Sequence, residues 1–237
     1  RIPMDDVMAS VFSSVRSLST EDIEAEMKDC DKYLASSIMA RAFPDRFIAL
    51  AVTLVIEIPV LLMIAGGSDK LCSMIGRKRY QLLMAFLPLS SAISGNCGLQ
   101  ASTLVTRAIS HLHVTKENYM RWLSTEIQVA SVLGLGVGTL VGAIAYQASD
   151  FDATFGFTIG IANFIGVLSG GLTGTIAPLL FRFIFHQDAG KWSGPLETAI
   201  QDIISTFVMV ILSYHILRWL GPADIDISDV CKATSTV

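Results

Sequence analysis

Apolar and polar positions alternate along this chain in blocks, not with the short period of strands. Phe47 to Ser68 is uncharged except for Glu57, while Tyr80 to Thr106, Ile127 to Ser149 and Ala153 to Phe181 hold no charge. Thr198 to Leu217 holds one, Asp202. Each block is long enough to cross roughly 30 Å of hydrocarbon at about 1.5 Å per helical residue. The pattern predicts an all-α, polytopic membrane protein with five transmembrane helices and its termini on opposite sides of the bilayer.

The block from Tyr80 to Thr106 is polar in its middle. Pro88 to Ser102 reads PLSSAISGNCGLQAS, with amides at Asn96 and Gln100 among serines and glycines. In lipid each unpaired polar group costs several kcal/mol, so this stretch must face protein or a wet cavity. Polar, glycine-broken spans of that kind line transport pathways.

The flanks divide the chain into 1–43, 44–220 and 221–237. The first part carries eight acids and five bases. Ser19 can cap a helix whose apolar stripe is Ile23, Met27, Cys30, Leu34 and Ile38. No cleavable signal peptide is visible, and a chain that starts at Arg1 reads as a piece of something longer. The last part is a polar tail. Short connections are expected at Gly67 to Arg79, which is basic, and at Gly190 to Pro195. Pro178 is expected to bend or end the fourth span.

Spacing of small residues adds a packing expectation. Gly134, Gly138 and Gly142 recur every four residues, as do Ala162, Gly166, Gly170 and Gly174. Such stripes let helix backbones approach closely where lipid offers no hydrophobic driving force.

Composition agrees with a bilayer as solvent: 52% of residues are hydrophobic and 16% charged, against about 25% charged in soluble domains. A net charge of −4 suggests no nucleic-acid partner. The four cysteines show no paired spacing, so neither a disulfide framework nor a thiolate metal site is expected. Neither HExxH nor GxSxG occurs, which points away from an enzyme. Basic residues on the two expected faces number seven and six, which leaves orientation open under the positive-inside rule.

Candidate chemistry concentrates on Asp202. A carboxylate inside a span costs on the order of 3 kcal/mol, and Thr198, Ser205, Thr206 and Ser213 share its region of the helix. It reads as a pore acid, as a neutral acid hydrogen-bonded to Asn96 or Gln100, or as an interfacial group. Glu197 lies about 140° around the helix and is expected at the interface or in a vestibule. Glu57 should face other helices, and Asn163 reads as an interhelical hydrogen bond before a pore amide. His111 and His113 have no ligand spacing. Carboxylate, amide and hydroxyl oxygens suit a hard cation, and a single carboxylate per chain suits Mg²⁺ held through its waters.

Three motifs together resemble the membrane domain of MgtE-type magnesium channels and their eukaryotic solute-carrier relatives. Pro88, Gly95-Asn96, Gly98, Gln100, Thr103 and Arg107 are similar to the family's second-helix signature. Pro178-Leu179-Leu180-x-Arg182 resembles the end of its fourth helix. Ser193-Gly194-Pro195, Thr198 and Asp202 resemble its fifth, and Ala42-Phe43-Pro44 sits where the first begins. Ser94 and Ala199 depart from the family's glycine and threonine. The resemblance implies a homodimer in the lipid bilayer with a pore on the dimer axis, where Asp202 is the metal-binding filter carboxylate for hydrated Mg²⁺. Co²⁺ or Mn²⁺ would be further cargo. Gly95, Asn96, Gly98, Gln100, Thr103 and Thr198 would line or shape the path. A Na⁺- or H⁺-coupled exporter and a non-conducting assembly protein stay open as alternatives.

Overall fold

The structure, a computed structural model, describes residues 45–111, 113–115, 118–186 and 189–220, with isolated positions between 28 and 39. The amphipathic helix expected in 1–43 and the tail 221–237 lie outside the described residues. Backbone proximity divides the chain into Arg1–Ile48 and Ala49–Val237, and the second unit holds the helix bundle.

Five long helices make up that bundle: α1 (Asp45–Ile75), α2 (Arg77–Ser110), α3 (Tyr119–Ala148), α4 (Ala153–Phe183) and α5 (Ala189–Leu220). Among the described residues there is no strand. Helices satisfy every backbone group within their own segment, which is the requirement a bilayer imposes. Segments Arg77–Ser110, Tyr119–Ala148, Ala153–Phe183 and Leu196–Leu220 are long and apolar enough to cross a membrane. In α1 the apolar stretch is the shorter Leu50–Gly66.

Two expected connections are helical instead. Residues 67–75 continue α1, and the chain reverses at Gly76 alone, whose φ of 84° suits a residue without a side chain. Residues 190–195 form the first turns of α5. Pro178 does not end α4, which runs on to Phe183. Polar residues past a membrane boundary still suit a helix, so composition overstated the loops.

The α3–α4 connection is tight. Asp150 and Phe151 both take left-handed backbone angles, at φ 57° and 65°. Asp152 then caps α4, with Oδ1 accepting from the amides of Thr154 at 3.0 Å and Phe155 at 3.1 Å. Its Oδ2 accepts from Arg79 Nε at 2.7 Å, and Lys78 pairs with Asp150. Two of the three cations that open α2 are therefore neutralised by the α3–α4 turn.

Helix α4 is the centre of the bundle and packs against α2, α3 and α5. Its two glycine faces explain how. A Cβ on Gly138 of α3 would come within 2.7 Å of the Gly160 carbonyl, and one on Gly142 within 2.9 Å of that of Gly156. On another face, a Cβ on Gly170 or Gly174 would overlap the carbonyl of Ser94 or Gly98 in α2. The expected stripes do pack closely. The Gly156–Gly160 half of the α3–α4 contact was not anticipated. Ile64, Leu71, Met74 and Ile75 of α1 join Leu83, Phe86, Phe155, Ile159 and Met209 in the main apolar cluster. Outward, Val132, Leu135, Leu140 and Ile144 of α3 present a broad apolar face suited to lipid.

Cys72 is disulfide-bonded and Cys97 is a free thiol, so the cysteine spacing missed a bridge.

Candidate functional site

The polar side chains of α5 divide between two environments. Asp202 and Thr206 line a cavity of about 400 Å³ whose other walls are α1 (Leu54, Glu57, Leu61) and α2 (Pro88, Ser91). The Asp202 carboxylate accepts a hydrogen bond from Ser91. Asn96 and Gln100, the partners weighed from the sequence, do not supply that bond. Glu57 does face other helices, and it lines the same cavity as Asp202. Six waters at roughly 30 Å³ each occupy about 180 Å³, so a hydrated divalent ion fits the volume.

The other environment is dry. Gln201 is fully buried and holds α5 to α4: its Nε2 donates to the Gly166 carbonyl and to Ser169 Oγ, both at 2.8 Å, and its Oε1 accepts from Thr173 Oγ1 at 3.3 Å. Ser205 Oγ lies 2.6 Å from Ser94 Oγ on α2. Ser213 is buried on the same helix. The hydroxyls grouped with Asp202 by sequence thus separate, Thr206 to the cavity and Ser205 to the helix contact.

Glu197 stands at the start of the apolar segment Leu196–Leu220, and its side chain is 0% exposed, seated where Gly98 of α2 has no side chain. Asn163 is buried too, yet its Nδ2 donates to Ile159 of its own helix and not across to another.

The α2 residues expected along the path occupy different faces. Gly95 is buried beside open space, since a Cβ there would meet nothing within 4 Å. Gly98 is packed between Glu197 and Gly170. Asn96, Gln100 and Thr103 sit together at the protomer surface, about 90° around α2 from Pro88 and about 150° from Ser91. Thr103 spends its hydroxyl on the Leu99 carbonyl at 2.7 Å, and half-buried Thr198 bonds Gly194 at 3.1 Å. One protomer therefore unites Asp202 with Ser91, Thr206 and Glu57, but not with the amides.

Ser91, Gln201 and the burial of Glu197 did not emerge from the sequence. A signal existed for two of them: Glu197, Gln201 and Ser205 follow at intervals of four, one helix face. Among the described residues no three His, Cys, Asp or Glu side chains cluster as a ready metal cage.

Long apolar helices, glycine-mediated packing and acids between the helices define a multi-pass integral membrane protein. The profile of the MgtE family, described as a divalent cation transporter, matches residues 87–212, just over half of the chain. The chain belongs to that family. It is also similar to the magnesium transporter MgtE of Bacillus subtilis (strain 168), 28% identical over 133 residues. That alignment covers 55% of this chain and 29% of the relative, so the chain spans under a third of that protein.

Proposed function

We propose that the chain forms the ion-conducting membrane domain of a Mg²⁺ transporter, with Asp202 as the carboxylate that holds the hydrated ion. The observation that carries this reading is the cavity that Asp202 lines with Ser91, Thr206 and Glu57 between apolar helices. An acid at that depth is expensive and marks an ion path by default. Oxygen ligands without thiolate or imidazole suit Mg²⁺, with Co²⁺ or Mn²⁺ as weaker cargo. The name of the Bacillus relative supports the same ion.

In this reading α1 is the fifth span and the working unit is a homodimer. The surface stripe Asn96, Gln100 and Thr103 supports the second copy, because amides at mid-span need polar partners or water. A twofold axis beside that stripe would give the path amide walls and two Asp202 carboxylates. The role is transport and not catalysis.

Purified protein in liposomes loaded with a Mg²⁺ indicator tests the reading. Wild type should pass Mg²⁺, and Asp202→Asn should insert and fold yet lose flux by tenfold or more. Wild-type flux in Asp202→Asn would remove Asp202 from the path.

A further inference from the structure

Among the described residues Glu197 is the one buried acid that the proposed path leaves idle. Neither of its carboxyl oxygens has a hydrogen-bond partner, and the side chain is 0% exposed. Its seat is tight. A Cβ on Gly98 would overlap the carboxyl, and the Gly170 carbonyl of α4 lies 3.1 Å from that same point.

Among the described residues no cation pairs with it, and Asp202 on α5 is the titratable group that acts on it. Glu197 and Glu126 of α3 both act on Cys97 of α2. Helix α4 has no charged residue from Ala153 to Phe181, its one cation being Arg182 in the last turn, and α2 has no cation between Tyr80 and Thr106. An ionised carboxylate with neither donor nor counter-ion costs several kcal/mol in such surroundings. A hydrated metal ion has no room where one methyl group would overlap. The cation small enough for this seat is a proton.

We propose that Glu197 is a buried proton-binding site at the start of the last apolar segment, and that its proton exchanges against the cation held by Asp202. The second half rests on the reading of Asp202 as the acid that holds the ion. The two acids lie five residues apart on one helix, about 7.5 Å along its axis. In a low-dielectric interior their charges act on each other strongly. A divalent ion at Asp202 cancels that charge and lowers the cost of ionising Glu197. The carboxyl O–H bond then breaks, and the proton passes to water. When the ion departs, the carboxylate takes a proton back. Ion binding at Asp202 and proton release at Glu197 are thereby linked.

Two measurements on the purified full chain test this. Infrared spectra in H₂O and D₂O should show, at neutral pH, a protonated-carboxyl band in wild type that is absent from Glu197→Gln and from the apolar Glu197→Met. The second variant serves where the first does not fold. Mg²⁺ added to wild type in weakly buffered solution should release protons, and release should fall at least tenfold in Glu197→Gln, Glu197→Met and Asp202→Asn. An unchanged band in both Glu197 variants would overturn the proton site. Equal release from them would overturn the coupling. If wild type passes no Mg²⁺, the reading of Asp202 fails, and the infrared band still decides the state of Glu197.

Discussion

The hydroxyl oxygens of Ser94 on α2 and Ser205 on α5 lie 2.6 Å apart. That bond joins the helix with the glycine-amide motif to the helix with Asp202. Ser94 also reaches the Ser90 carbonyl at 2.9 Å, so its hydroxyl stays satisfied when Ser205 is removed. Ser205→Ala should therefore cost only about 0.5–1 kcal/mol, the usual worth of a hydrogen bond between membrane helices. Unfolding of the detergent-solubilised protein would measure it. A loss above about 3 kcal/mol would mean that the bond holds the site in ways the contact does not show.

Glycine substitutions should divide by neighbour. Gly138→Ala drives a methyl toward the Gly160 backbone, whereas Gly136→Ala meets open space. Overpacking against backbone costs about 1–3 kcal/mol, so the first should lower thermal stability and the second should leave or raise it. Equal effects at the two positions would contradict the α3–α4 contact.

At the α3–α4 turn, Asp152 does two things. Asp152→Ala removes the helix cap and leaves Arg79, whose side chain is 11% exposed, without its carboxylate. About 2–3 kcal/mol should be lost. Asp152→Asn keeps a capping oxygen and should recover about 1 kcal/mol of that. Lys78→Ala breaks a far more exposed pair and should cost under about 1 kcal/mol. Thermal melts of the three variants in one detergent would give the order; Lys78→Ala as the worst of them would refute it.

Glu57 faces the cavity that Asp202 lines. If both carboxylates attract the ion, Glu57→Gln should weaken Mg²⁺ uptake about 3–10-fold, measured as the concentration for half-maximal flux in liposomes. An unchanged concentration dependence would make Glu57 a spectator.

The paired change Asn96→Ala, Gln100→Ala strips the amides from the exposed face of α2. It should shift ion selectivity, and should weaken a dimer if that face lies on the axis. Light scattering and a divalent-series flux assay would separate the two effects. A variant with native selectivity and native mass would leave the stripe without a role.

Much of the fold was legible in the order of residues. Charge-free blocks longer than a bilayer is thick mark helices, because no other single segment satisfies its own backbone in hydrocarbon. The stripe Gly134, Gly138, Gly142 foretold a close contact, since only small residues let two backbones meet. Boundaries were less legible. Ser68, Asp69 and Lys70 look like a loop, but leaving the membrane does not end a helix, and Gly76 alone supplies the backbone angle for the reversal.

By itself, the sequence determined the solvent, the helices and the family motifs, because hydropathy and spacing are properties of a single segment. Only the tertiary structure decided which acid meets water and which is sealed in. Asp202 and Glu197 lie five residues apart on the same helix, and nothing local distinguishes their fates. The distinction comes from how α5 is rotated about its axis. Gln201 pins that rotation to α4, and Gly98 opens a seat for Glu197, which leaves Asp202 turned toward the cavity.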